Sequence, residues 1–253
     1  MPASDGNLLK PLIAKLSKLA ELGGTDRAAI LSLPFTTEQV RAGRYLIREG
    51  SSPDRCCLLL RGFACRSKMS ANGGRQIVSF HLQGDLLDVQ HLLLRVADHN
   101  VETITDVMVA WIATEELSRL AFEHPVIGRA LWRDSLIDAS IFREWVLNVG
   151  RRDAKVRIAH MLCEFAARCV TAGLGSAERF ELPMTQEQIG DATGLTPVHV
   201  NRMLRVLGED GVIARAGRTI KIADWERMRQ VADFDATYLH AAARAEAEVG
   251  QFV

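Results

Sequence analysis

Net charge is absent from this chain: 31 lysines and arginines balance 31 aspartates and glutamates over 253 residues. Attraction of the whole molecule to a polyanion is thereby excluded, and any such binding must rest on a local surplus. No apolar run approaches the roughly 18 residues a membrane-spanning helix needs. With no signal-peptide pattern and no low-complexity tract either, the expectation is a cytoplasmic protein with no membrane role. The five cysteines, Cys56, Cys57, Cys65, Cys163 and Cys169, form an odd set without a C-x-x-C pair. Neither a disulfide framework nor a tetrathiolate zinc site follows, and buried structural thiols are expected. Cys56 and Cys57 are adjacent, so on a strand one points inward and one outward, the outward thiol being open to redox response. There is no H-x-H pair for a cupin-type metal, no G-x-S-x-G elbow and no phosphate-cradling glycine loop. Catalysis is left without residues and no cofactor is expected.

What is present is concentrated between Pro183 and Ile222. Thr185 is a good N-cap with Gln188 three residues on, predicting a short helix from Gln186 to Ala192 that buries Ile189 and Ala192. Gly194 ends it. Thr196 caps a second helix whose first turn accepts Pro197, because proline lacks only an N–H that would be unpaired there. Val200, Leu204 and Leu207 recur at helical spacing and face the core, leaving Pro197, Val198, His199, Asn201, Arg202 and Arg205 outward. Gly211 stops this helix. Val212–Ala214 and Thr219–Ile222 then read as a hairpin around Ala216-Gly217-Arg218. From Thr196 to Ile222 five basic residues (Arg202, Arg205, Arg215, Arg218, Lys221) stand against Glu209 and Asp210. A helix-turn-helix followed by a basic wing suits double-stranded DNA: Arg202 forks onto guanine, Asn201 pairs with adenine or phosphate, Val198 meets a thymine methyl, and the wing arginines take phosphates. The expected DNA-binding set is Thr185, Gln186, Thr196, Pro197, Val198, His199, Asn201, Arg202, Arg205, Arg215 and Arg218.

Upstream the texture differs. Leu8–Leu22 has leucines at helical intervals, and Thr25 is read as the cap of a short helix ending at Pro34. From Thr37 to about Ala113, β-type runs (Tyr45–Ile47, Cys56–Leu60, Phe63–Lys68, Gln76–Leu82, Thr103–Ala113) alternate with glycine turns, the rhythm of an antiparallel roll. With the roll as the active part, the alternative to a DNA reader is a cytoplasmic ligand-binding or enzymatic β-barrel with an accessory helical domain. Pro125 opens a long helix to about Gly150 on which Leu131, Ser135, Ala139, Phe142, Val146 and Val149 form a stripe, with Trp132, Leu136, Ile141 and Trp145 on other faces. A helix apolar on several sides needs several neighbours, and a second copy of the chain is the expected one. Beyond the wing, Asp224 caps a helix over Trp225–Val231, and an alanine-rich helical tail is expected over Ala236–Glu248.

The fold class is therefore α+β, with an N-terminal jelly-roll-like β-roll and lead-in helices (residues 1–120), a dimerisation helix and hinge (121–152) and a C-terminal winged helix-turn-helix with an extension (153–253). In this order, and in the run Thr185, Ile189, Gly190, Gly194, Leu195, Thr196, Val200 and Arg202, the chain resembles the Crp/Fnr family of bacterial transcription regulators. Gly50, Gly62 and Gly84-Asp85 are similar to that family's cyclic-nucleotide-binding roll. The resemblance implies a homodimer on a palindromic promoter site, contact with RNA polymerase, and a small-molecule effector in the roll.

The departures narrow the effector. Family members that bind cyclic AMP hold it with a glutamate after the G-D turn and with an arginine-serine pair; the nearest positions here are Val89, His99 and Asn100. An aliphatic side chain accepts no ribose hydroxyl, and an imidazole does not replace a guanidinium that grips phosphate in two places. Cyclic AMP is thus not expected, nor is an iron–sulfur cluster, since no cysteine precedes Cys56. His81, His91 and His99 read as surface or satisfied core histidines, with haem ligation as the alternative. Val198 stands where the family commonly places a glutamate that reads cytosine, so the half-site should differ at one position.

Overall fold

A computed structural model describes residues 6–240. In chain order the elements are α1 (Lys10–Leu16), α2 (Gly24–Leu31), β1 (Phe35–Val40), β2 (Tyr45–Ile47), β3 (Arg55–Arg61), β4 (Ala64–Met69), β5 (Arg75–His81), β6 (Asn100–Thr103), β7 (Val107–Ala113), α3 (Thr114–Glu123) and α4 (Pro125–Arg151). They continue with α5 (Ala154–Ala172), β8 (Arg179–Glu181), α6 (Gln186–Thr193), α7 (Pro197–Glu209), β9 (Ile213–Ala216), β10 (Thr219–Ile222) and α8 (Trp225–Ala232). Two compact units result, one of residues 6–66 and 81–139, the other of residues 67–80 and 140–239. These boundaries depart from those read in the sequence: the β4–β5 hairpin, placed there within the roll, groups with the C-terminal half, and α4 divides between Ala139 and Ser140.

In the first unit β7 lies between β1 and β3, all antiparallel, and β2 pairs with β6, also antiparallel, in a second sheet. Alternation on β3 and β7 explains the interior. Cys56, Leu58 and Leu60 with Ala110 and Ile112 join Leu12, Leu16, Ile30, Leu117 and Ile127 in one apolar core. Cys57 and Leu59 with Val107, Val109 and Trp111 turn the other way, onto Ile47, Leu87 and Val101. Because this sheet is covered on both faces, both adjacent cysteines are buried, which corrects the expectation of one outward thiol. Burial pushes the Cys56 thiol up to about 12 and Cys57 upward as well, so neither is a reactive thiolate near neutrality.

The lead-in helix is shorter than its leucine spacing predicts, because the Leu19 and Ala20 N–H groups both turn back to the Leu16 carbonyl. At α2 the cap is the Asp26 carboxylate, accepting from Gly23 N–H at 3.0 Å, rather than Thr25. The tail expected over Ala236–Glu248 lies mostly outside the described residues; its start, Ala236–Leu239, is a 3-10 turn.

In the second unit α5 is the spine, with Ile158, Leu162, Cys163, Phe165 and Ala166 buried and α6, α7 and α8 packed on it. Phe80 at the end of the β4–β5 hairpin meets Trp145 and Phe165 edge-on, at 5.6 and 6.2 Å between ring centroids. The same hairpin reaches α6: Arg75 pairs with Asp191 at 2.7 Å, and the Gln76 amide donates to the Ala192 carbonyl at 3.2 Å.

Candidate nucleic-acid interface

Two local devices shape the α6–α7 corner. Thr185 Oγ1 accepts from Gln188 N–H at 3.1 Å while Gln188 Oε1 accepts from Thr185 N–H at 2.9 Å, closing a reciprocal capping box. Gly194 then ends α6 in the left-handed region at φ 68°, a conformation glycine adopts without Cβ strain. Gly190 is needed for another reason, since a Cβ there would stand 2.4 Å from the Leu195 carbonyl oxygen. Only a residue without a side chain lets the turn cross α6 so closely. Thr196 Oγ1 accepts from His199 N–H at 3.3 Å, and Pro197 occupies the first turn of α7.

With Val200, Leu204 and Leu207 buried, Val198, Arg202, Arg205 and Glu209 form the outermost row of α7. Val198 is 82% exposed, a solvent-facing apolar side chain in that row. Exposed Asn201 lies on one flank, where its Oδ1 accepts from the Gln186 side-chain amide at 3.2 Å and its NH2 is the group that can donate. A guanidinium has no acceptor, so Arg202 donates to His199 Nε2, at 2.9 Å. The two acidic side chains nearby are neutralised: Glu209 faces Arg205 at 3.5 Å, and Asp210 turns back to Lys155 at 2.5 Å.

The wing has three strands rather than two, in the order β8-β10-β9. Sequence reading missed β8, because three residues, Arg-Phe-Glu, are too short to show a period. Its exposed Arg179 is the register partner of the exposed Lys221 and adds a cation to the wing. The turn is the two-residue Gly217-Arg218, with Ala216 paired to Thr219. Arg215 donates to the Gly217 carbonyl at 3.1 Å. Arg218 donates to the Pro183 carbonyl and lies 3.8 Å from Glu181, so it is engaged within the protein more than its sequence position implies.

On α4 the expected stripe is rotated. Leu131 is 4% exposed and joins the core with Ile127 and Leu117, so it faces inward, which corrects its assignment to the outer seam. Trp132 (69% exposed) and Leu136 stand outward instead, on the same side as Ser135, Ala139, Phe142 and Val146; Val149 is half-buried. At 100° per residue the two ends of the expected stripe turn under the helix while Trp132 and Leu136 come to its front.

The cyclic-nucleotide positions are otherwise engaged. Val89 is half-buried against the first unit's core, His99 is buried with Asp98 at 2.6 Å and Gln90 at 3.2 Å, and Asn100 Oδ1 accepts from Glu49 N–H at 3.0 Å. His81 and His91 are also buried, as is Asp88, whose Oδ1 accepts from Cys57 N–H at 3.0 Å and whose carboxyl burial pushes up to about 6.

Comparison with known proteins matches residues 37–124 to a cyclic nucleotide-binding domain and residues 156–231 to a Crp-like helix-turn-helix domain. The transcriptional activator protein FnrL of Cereibacter sphaeroides is 29% identical over 210 residues, covering 79% of this chain and 84% of its own length. The nitrogen fixation regulation protein FixK of Rhizobium meliloti is 28% identical over 206 residues, covering 80% of this chain and 90% of its own. Among solved structures, FixK2 from Bradyrhizobium japonicum superposes with a TM-score of 0.73 at 26% identity, over 80% of this chain and 99% of that one.

Proposed function

Since the chain belongs to the Crp/Fnr family of transcription regulators, which bind DNA typically as dimers and are not enzymes, we propose that two copies pair along α4 and read a palindromic promoter site with α7. The observation that carries this reading is the outward row Val198, Arg202, Arg205 on a helix whose opposite face is wholly buried. Arg202 reads a guanine, Val198 contacts a thymine methyl, and Asn201 donates to a base or phosphate acceptor. Thr185, Gln186, Thr196 and Pro197 lie along the backbone at the helix starts, and Arg215, Arg218, Arg179 and Lys221 serve phosphates. The α4 seam consists of Trp132, Ser135, Leu136, Ala139, Phe142 and Val146, because an exposed apolar row of this length on a water-soluble helix calls for a partner. The roll (residues 1–120) acts as sensor, α4 (121–152) as dimer helix and hinge, and residues 153–253 as the DNA-binding part. The setting is cytoplasmic, in keeping with the absence, among the described residues, of a helix long and apolar enough to cross a membrane. RNA polymerase is the protein partner at the promoter.

Cyclic AMP is not the effector of the roll, whether another small molecule serves there or activity is ligand-independent and set by abundance alone, since Val89, His99 and Asn100 offer neither the ribose acceptor nor the phosphate clamp. Selection from a random duplex library is the test of the DNA reading: a palindrome with a guanine in each half-site supports it, and recovery of no enriched sequence overturns it. Titration calorimetry with cyclic AMP tests the rest, and saturable micromolar binding that strengthens DNA affinity would reverse the conclusion drawn from those three residues.

A further inference from the structure

Residues 233–239 lie beyond the Crp-like domain match, which ends at 231, yet they enter a buried polar cluster of the second unit. Glu164 of α5 is 2% exposed, and its Oε2 accepts from two donors at 2.9 Å: the indole N–H of Trp145, from α4, and the hydroxyl of Tyr238. Tyr238 also lies 3.1 Å from His160 Nε2, and buried Phe234 meets the His160 ring edge-on at 5.3 Å. Nearby, Arg152, in the α4–α5 joint, pairs with Glu144 at 2.7 Å and with Asp233 Oδ2 at 3.0 Å, and donates to the Asp233 carbonyl at 3.1 Å. Asp233 itself sits at φ 49°, a conformation unfavourable for a residue with a side chain, and these bonds hold it there. One segment outside the winged helix thus ties the end of α4 to α5, and α5 carries α7.

We propose that this segment is a strap, with Tyr238 as its positioning residue, that sets the half-site spacing at which the protein binds DNA. The inference rests on the dimer reading above. If two copies meet along α4, the separation of their α7 helices depends on the α4–α5 angle in each copy, and half-sites must match that separation to within a fraction of a helical turn. A joint of one or two residues does not fix such an angle unaided. The buried carboxylate does: Arg168, 3.5 Å from Glu164 Oε1, moves with it on α5, but moving α5 relative to α4 parts the Trp145 indole N–H from Oε2 and leaves a buried donor unpaired, a costly state.

The test uses the full-length protein, its Tyr238→Phe variant and a chain ending at Asp233. The probes are duplexes carrying the selected half-sites at the preferred spacing, the same half-sites one base pair closer or further apart, and a single half-site. Tyr238→Phe keeps the ring packing and removes the hydroxyl. The expected result is an unchanged affinity for the single half-site, with the preference for the optimal spacing reduced by roughly 3- to 10-fold, the effect of losing one buried hydrogen bond. The shortened chain should lose more of that preference, provided its circular dichroism remains native. If the Tyr238→Phe spacing preference equals that of the parent, the strap is overturned whatever its melting temperature does. If the parent itself shows no spacing preference, the two-fold reading fails instead, and the strap with it.

Discussion

In α7 the polar side chains proposed to meet DNA, Asn201, Arg202 and Arg205, stand in solvent, whereas in the roll His81, His91, His99 and Asp88 are all buried. The two regions place their polar groups in opposite ways. The DNA surface proposed for α7 must be available to a large partner, and the outer face of that helix is held by an apolar inner face of three residues. The roll keeps such groups inside and matches one atom of each: Asp88 Oδ1 to the Cys57 N–H, His91 Nδ1 to the Leu94 carbonyl at 3.0 Å, Arg66 to the Leu87 carbonyl at 2.7 Å, while Asp88 Oδ2, His91 Nε2 and Arg66 Nε are buried without a hydrogen bond among the described residues. An outward row can therefore be read along one helix, while an inward cluster is defined only by what folds over it.

Breaking the contrast between outward and inward faces on α4 should give the largest effect. Val146→Asp places a charge on the exposed seam and should yield a folded monomer by sedimentation, with affinity for the palindrome falling by roughly 10²- to 10⁴-fold as the second half-site stops contributing. Leu131→Asp, on the inward face of the same helix, should instead unfold the first unit, since an unpaired carboxylate in that core costs several kcal/mol. A Val146→Asp protein that still sediments as a dimer would remove α4's outer face from the interface.

The buried side of the comparison is sharpened by Asp88→Asn. Burial raises the folded pKa of Asp88 from 3.8 to about 6, so the folded chain holds this proton more tightly than the unfolded one. Asp88 therefore contributes stability below about pH 4, and that contribution is lost as pH rises toward 6 and beyond, up to about 3 kcal/mol in full. Burial lowers His81 and His99, the latter to about 4, which acts in the opposite direction across part of the same window, but those contributions are common to parent and variant. Subtracting the two melting curves should leave a gap in favour of Asp88→Asn that opens between pH 4 and 6.5. A gap independent of pH would mean that Asp88 does not titrate there.

Smaller effects separate reading from positioning on the exposed side. Arg202→Ala should relax preference at one base pair per half-site by about 1 to 3 kcal/mol. Lys221→Ala should weaken all sequences alike and reduce the salt slope by about one phosphate's worth, whereas Arg218→Ala should change it less, because Arg218 already donates to Pro183. Equal salt slopes for parent and Lys221→Ala would take Lys221 off the DNA.

The α6–α7 corner was legible because its determinants are local. Thr185 with Gln188, Thr196 with Pro197, and Gly194 act over three or four residues, and the Val200, Leu204, Leu207 spacing needs only the helix period. Arg179 escaped notice because a three-residue strand has no pattern, and α3 because its two buried leucines are too few to show a period. The face of α4 was read one position out at Leu131 and Trp132, since a helix apolar on several sides gives periodicity without a direction.

From residue order alone came the kinds of elements, their succession from roll to long helix to winged helix-turn-helix, and the outward row of α7, all properties of contacts a few residues apart. Tertiary structure decided which side of α4 faces out, that both Cys56 and Cys57 are covered, that the β4–β5 hairpin joins the C-terminal unit, and that Tyr238 closes on Glu164. Those outcomes depend on partners such as Gln76 and Ala192, separated by 116 residues, or Glu164 and Tyr238, separated by 74. Periodicity within a window of the chain carries no information about what will be packed against it from so far away, and burial, unlike helix formation, is set by that second surface.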